Sequence, residues 1–335
     1  MAISPYAFWS GVLAVLKAFV FLAISTPIEG IFARWRATYS PKVVQLEGAE
    51  EDANTKKVNN VFQMLGRVYK VEGVVGLYKG IMPNIIAFAA INIWTLIAHL
   101  AGLSIDNFIR LRWHFDNKVA FYLFEVFSRS VRVAVFVVPA LIFTILYYRV
   151  VTTPLVLPVH KPVLALRLLF TPQELRAPWK LYTPALIATH AFPIAWTIEI
   201  LQRMQKILPP FDNSHTEYVW WRVVLAIVTI TVALVVFPVL EVVKAKLSVQ
   251  KIGATHTALP TEERETQPAV AEYPEEVVGQ VFRQEPYKGL FDSVKKIAHE
   301  EGAKALFRLW WVSAIGTFFI SGVAKWVFKY NFLSN

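Results

Sequence analysis

Long runs of apolar residues, separated by polar segments of unequal length, organise this chain. The apolar stretches cover Tyr6–Pro27, with a helical pattern continuing to Arg36, and then Leu77–Ala101, Val119–Tyr148, Leu181–Leu208, Tyr218–Leu247 and Leu306–Phe332. Each holds at most one interior acid and is long enough for a bilayer core of about 30 Å, which a helix crosses in roughly 20 residues. Six membrane-spanning helices are predicted. Pro27, Pro139, Pro193 and Pro238 fall inside these stretches, where a proline removes a backbone donor and bends a helix.

The polar segments Ala37–Gly76 and Ser248–Ala305 are long, whereas Gly102–Lys118 and Pro209–Glu217 are short, so long and short connections alternate sides. Both long segments carry an acidic stretch, Glu47–Asp52 and Glu262–Glu276, followed by a helical pattern that closes in Glu72-Gly73 or Glu301-Gly302. Each reads as a solvated insertion leading into a short amphipathic helix.

Composition sharpens this picture. Hydrophobic residues make up 56% of the 335 positions and charged residues 17%, where a soluble domain carries about 25% charged residues; the mean hydropathy is +0.45. A water-soluble enzyme is excluded on this ground. The net charge of +10 is unevenly placed: 23 of the 34 Lys and Arg lie in Arg34–Lys79, Arg149–Lys180 and Lys244–Arg308. The excess therefore sits on one membrane face, as the bias of basic loops requires, with both termini on the other. No segment interleaves basic and stacking aromatic residues in a compact domain, so nucleic acid is not an expected partner. With zero Cys, disulfides, thiolate metal sites and a thiol nucleophile are excluded. Scattered His, and the lack of His-Glu-x-x-His, Gly-x-Ser-x-Gly or a phosphate-binding glycine loop, argue against catalysis, cofactor and metal. Residues Glu262–Glu276 lack the ordered oxygen spacing of a calcium loop. No basic residue precedes Lys17, so neither a signal peptide nor an Arg-rich transit peptide is expected, and any organelle address would be internal.

The strongest signal is an internal repeat. The starts of the second, fourth and sixth spans align as Tyr78-Lys79-Gly80, Trp179-Lys180-Leu181 and Phe307-Arg308-Leu309, and six residues upstream of each aromatic begin Glu72-Gly73, Gln173-Glu174 and Glu301-Gly302. The odd spans carry Pro27-x-Glu29 with Arg34 and Arg36, then Pro139 without a nearby acid, then Pro238 with Glu241, Lys244 and Lys246. A period of about a hundred residues marks a unit that buries its apolar face only against copies of itself. This pattern resembles the mitochondrial carrier family, whose repeats end one helix in proline-x-acid-x-x-base-x-base and open the next in acid-Gly-x4-aromatic-base-Gly.

The resemblance implies an all-α membrane protein. Six transmembrane helices would form a pseudo-threefold barrel of three helix-hairpin repeats, with short matrix-side helices and a cavity opening alternately to either side. The expected repeats are 1–102, 103–208 and 209–335, the last with an acidic insertion at 249–286. It also implies a gate, for which Glu29, Arg34, Glu241, Lys244 and Lys246 are the candidates. Aligned on the prolines, Glu29 faces Thr144, Leu141 faces Lys244 and Glu241 faces Phe32, so no inter-repeat ion pair is expected to be complete. The substrate-contact positions of the family fall on Ala87, Ala188 and Gly316, with Asn84, Asn92, Thr189, His190 and Thr317 as polar neighbours suited to a neutral or weakly polar solute. Small residues there equally suit close helix packing, and His190 is either a proton carrier or a satisfied interhelical histidine. Further candidates are a helical pair from Glu125, Arg129 and Arg132, a weak outer mark at Glu199 and Arg203, and Lys325 and Lys329 reaching lipid headgroups. Tyr78-Lys79-Gly80 and Tyr287-x-Gly289 resemble the places where carriers hold cardiolipin phosphates on helix N-termini. Two functions follow from the resemblance. One is transport of a small metabolite across a mitochondrial membrane, more simply the inner one. The other is a non-transporting scaffold of the outer membrane, serving organelle dynamics or protein docking, which the eroded gates suit.

Overall fold

The structure is a computed structural model, and it describes residues 5–40, 58, 60–112, 118–158, 160–197, 220–252, 273, 277–278 and 286–320. Among these the protein is all-α. The long helices are α1 (Pro5–Ala37), α3 (Ile81–Arg112), α4 (Lys118–Thr152) and α8 (Trp220–Val249), while α7 (Pro184–Ala195) and α11 (Trp310–Ile320) stand where the fourth and sixth spans are expected. Shorter helices lie between them: α2 (Val61–Leu77) in the first long connection, α5 (Pro162–Leu169) and α6 (Pro172–Arg176) in the middle one, and α9 (Leu290–Glu300) and α10 (Ala303–Leu306) in the last. Windows at Ile81–Ala98, Val133–Thr152 and Ile227–Val249 are long and apolar enough to cross a membrane, and α7 adds a shorter apolar helix.

Packing closes these helices into a ring. Within the repeats α1 packs on α2 and α3, α4 on α7, and α8 on α9, α10 and α11; between repeats α3 meets α4 and α7 meets α8. The ring closes where Phe32 of α1 meets Trp311 of α11 edge to face, 5.7 Å between centroids. The odd helices α1, α4 and α8 also touch one another pairwise. Their C-terminal ends hold the buried core, with Ile31, Leu141, Ile145, Val242 and Val243, joined by Ile297 of α9, all below one-tenth exposed. Toward their N-termini the same helices leave Phe19, Phe21, Val131, Leu225 and Val228 uncovered by protein, as a lipid-facing or cavity-facing surface requires. The barrel is thus sealed at the basic end.

Two boundaries differ from the sequence expectation. Helix α3 starts at Ile81 and not at Leu77, because Tyr78-Lys79-Gly80 forms a turn with Ile81 N–H donating to the Tyr78 carbonyl at 2.9 Å. It runs on to Arg112, so much of the expected polar connection Gly102–Lys118 is helix and the expected repeat boundary at 102 falls inside it. The middle connection carries α5, α6 and the 3-10 turn Pro178–Leu181, each opened by a proline in its first turn, where the missing N–H has no helical partner to lose.

Candidate functional site

The site grows from the last base of each odd helix. Arg34 pairs with Glu72 and its Nη2 donates to the Gly76 carbonyl at 3.0 Å. Arg149 grips Glu174 with two bonds of 2.7 Å, and Lys246 meets Glu301 at 2.6 Å. These six side chains are at most 5% exposed. Three equivalent buried pairs thus brace each odd helix to the short helix of its own repeat.

A second set of bonds runs from each repeat to the next. Lys79 donates to the Thr153 carbonyl just beyond α4. Arg149 donates to the Ser248 carbonyl at 3.0 Å and the Gln250 carbonyl at 2.9 Å, at the end of α8. Arg308 reaches the Thr38 and Trp35 carbonyls at the end of α1. Every odd helix therefore ends on a cation from the preceding repeat, where unsatisfied carbonyls and the negative end of the helix dipole favour positive charge. Repeat two uses Arg149 in both roles, and its Lys180 lies exposed.

Local sequence explains how the acids are held. After Glu72 and Glu301 the chain turns at Gly73 (φ 68) and Gly302 (φ 95), a left-handed backbone that glycine adopts without steric cost. Repeat two has Leu175 after its acid and uses a capping box instead, with Thr171 and Glu174 exchanging bonds. Burial alone would raise the Glu174 carboxyl, but Arg149 and the amide donors of Ile252 and Thr171 hold it below its ordinary value.

These pairs correct two expectations. Arg34 and Lys246, expected in the gate, are bound to the acids Glu72 and Glu301 within their own repeats. And because Arg149 stands where Arg34 and Lys246 stand, repeat two is registered three residues later than its Pro139 suggests. Counting back from the three bases gives Glu29, Thr144 and Glu241 at the acid positions and Phe32, Tyr147 and Lys244 at the base positions.

An inter-repeat ion pair is present after all. Glu241 of α8 meets Arg36 of α1 at 3.0 Å and also pairs with Lys244 one turn along its own helix. The base comes from Arg36, one helical turn beyond Phe32, and Phe32 packs on Trp311 instead. Glu29 accepts a bond from Asn84 Nδ2 at 3.4 Å. Tyr147, at the base position of repeat two, has a buried hydroxyl with no partner among the described atoms. Arg36 was missed because only the family spacing pointed to the gate, and Arg36 lies outside that spacing.

The remaining candidates sort as follows. Ala87, Ala188 and Gly316 are half-buried, and nothing stands within 4 Å of a Cβ built on Gly316. Asn92 bonds to the Phe88 carbonyl of its own helix at 2.6 Å, and the Thr189 hydroxyl to the Leu186 carbonyl at 2.8 Å. His190 is buried, with Nδ1 3.1 Å from the same carbonyl; its Nε2 and the buried Thr317 hydroxyl have no partner among the described residues. The side chains of Glu125, Arg129 and Arg132, together with Glu199, Arg203, Lys325, Lys329 and residues 262–272 and 274–276, lie outside those described.

The two lipid candidates do not share one site. Lys79 is held by Glu72 and the Thr153 carbonyl, and Gly80 lets the Tyr147 ring approach, since an added Cβ would lie 2.5 Å from it. Tyr287 and Gly289 open α9, with Gly289 as its N-cap. Tyr287 and Lys288 line a small pocket with Leu181, Thr183 and Ala185 at the start of α7. The sequence reading missed Thr183, whose side chain caps α7.

In comparison with known proteins, residues 29–99 fit the family model described as mitochondrial carrier protein. No curated protein matches the chain.

Proposed function

We propose that this chain, whose residues 29–99 fit the mitochondrial carrier family, is a member of that family and moves a small neutral or zwitterionic solute across the mitochondrial inner membrane by alternating access. The observation that carries it is the inter-repeat pair Arg36–Glu241, placed where α1 and α8 converge and only partly buried at 12% and 22% side-chain exposure. A pair that water can reach is breakable, as a gate requires, whereas the three braces are dry. Two acids, Glu29 and Glu241, and two bases, Arg36 and Lys244, stand at this level. Their charges cancel, and the contact positions Ala87, Ala188 and Gly316 add none. A polyanion such as a nucleotide finds no excess positive charge there. Binding of cardiolipin headgroup phosphate at Tyr287 and Gly289 is proposed as a structural contact on the helix N-terminus.

The second reading, a carrier-fold scaffold of the outer membrane, draws on the absence of a polar side chain at those same three contact positions. Uptake by purified protein in liposomes separates the two. The panel comprises zwitterionic amino acids, neutral cofactors, carboxylates and nucleotides, with Arg36→Gln as control. Uptake confined to neutral or zwitterionic members and reduced at least tenfold in the variant is expected. Absence of flux across the panel overturns transport, and nucleotide uptake overturns the solute class.

A further inference from the structure

The connection from α8 to α9 is far longer than its ends need. Tyr287 N–H donates to the Gln250 side-chain oxygen at 3.1 Å, so the chain leaves and returns at one place. A connection of this length inside a compact domain calls for a role. Three residues of it are seated on the other two repeats. Val277 and Val278 are 5% and 2% exposed, in one apolar cluster with Ile31 and Ala37 of α1, Met64 and Val68 of α2, and Val249 of α8. Tyr273 donates its N–H to the Pro154 carbonyl beyond α4 at 3.2 Å, and its ring lies 5.2 Å from the Lys79 ammonium.

We propose that Tyr273, Val277 and Val278 form an intramolecular latch that holds the basic face of the barrel closed. The contacts belong to all three repeats: α1 and α2 of the first, the segment after α4 of the second, and α8 of the third. Opening at this face separates the C-terminal ends of the odd helices, and the Arg36–Glu241 pair now links those of α1 and α8. The valines cannot stay in a crevice shared by α1, α2 and α8 while those helices part, so gate opening and latch release are one event. Two apolar residues in succession make the latch self-sufficient, since both side chains are buried in a single cluster and neither carries a polar group needing a partner. The latch rests on the gate reading above, but its test needs no transported solute.

The chain has zero Cys, so a single introduced cysteine reports alone. Val278→Cys, with Val277→Cys as an independent second probe, is reconstituted in liposomes and treated with a membrane-impermeant maleimide. The exposed Lys295→Cys is the fully reactive standard, and thermal unfolding checks that each variant is folded. Both valine sites should label at least tenfold more slowly than the standard, and adding Glu241→Gln should raise their rates toward it without changing Lys295→Cys. Labelling as fast as the standard in the parent overturns the seated latch. Protection unchanged by Glu241→Gln overturns its coupling to the gate. Because neither result depends on flux, a protein that transports nothing still decides the proposal.

Discussion

At the scale of single residues, the braces are the costly interactions. Glu174 is the clearest: its side chain is fully buried and accepts two bonds from Arg149 and one amide bond each from Thr171 and Ile252. Removing one partner of such a pair leaves a buried charge uncompensated. Glu174→Ala should therefore destabilise the protein by about 3–5 kcal/mol, measured by thermal or denaturant unfolding in detergent. The pH dependence follows from the same bonds. Because the folded carboxyl titrates below its ordinary value of 4.5, its contribution is fully present above that value and is lost as pH falls through the lower folded value. Acid unfolding below about pH 4.5 should thus be shallower in Glu174→Gln than in the parent, and an unchanged profile would remove Glu174 from the account. Arg149→Lys separates charge from geometry. The ammonium keeps the charge but not the fork that serves two carboxylate oxygens and two helix-end carbonyls, so roughly 2–3 kcal/mol should still be lost, the range for hydrogen bonds to charged groups and their unmet partners.

At the scale of elements, the turn before α3 is fixed by one contact. A Cβ on Gly80 would lie 2.5 Å from the Tyr147 ring and 3.1 Å from Val151, both on α4. Gly80→Ala should force α3 and α4 apart and cost about 1–3 kcal/mol, the usual range for overpacking. Tyr147→Leu in the same background should recover part of it, as read by unfolding. This element scale is also where the sequence was most and least legible. All six apolar stretches hold a helix, since twenty apolar residues in a row have few alternatives. The acid-Gly and aromatic-base marks did locate the braces, because Gly73 and Gly302 answer a backbone need that few other residues meet. Repeat two lacks these marks: Thr171 caps its acid in place of a glycine, and Pro139, a residue that only bends a helix, points to a register three residues early. The last base, Arg149, was the informative position, because a buried cation must find an acid and so fixes the alignment. Side-chain reach hid the inter-repeat ion pair. Arg36 is one turn from the expected position, and its long side chain crosses that distance.

At the scale of the whole molecule, two layers of charge do different work. The braces and the cation on each odd helix end form a closed cycle, repeat one to two, two to three and three to one, so no repeat can leave the barrel without exposing buried charge. That layer is dry and ties the three units together. The layer facing the cavity is wetter and sparser, with Arg36–Glu241 joining the first and third repeats and no corresponding ion pair between α1 and α4 or α4 and α8 among the described residues. Closure of the basic end should therefore depend on that one pair far more than the fold does. Arg36→Glu and Glu241→Arg, singly, place like charges together, and the double exchange restores an opposite pair. A double-mutant cycle should give a coupling of about 1–3 kcal/mol in unfolding free energy. The double variant should recover most of the parent's stability and of the protection of cysteine placed at Val278. If the singles opened the face but the exchange failed to close it, Lys244, which shares Glu241, would be the partner that decides the gate.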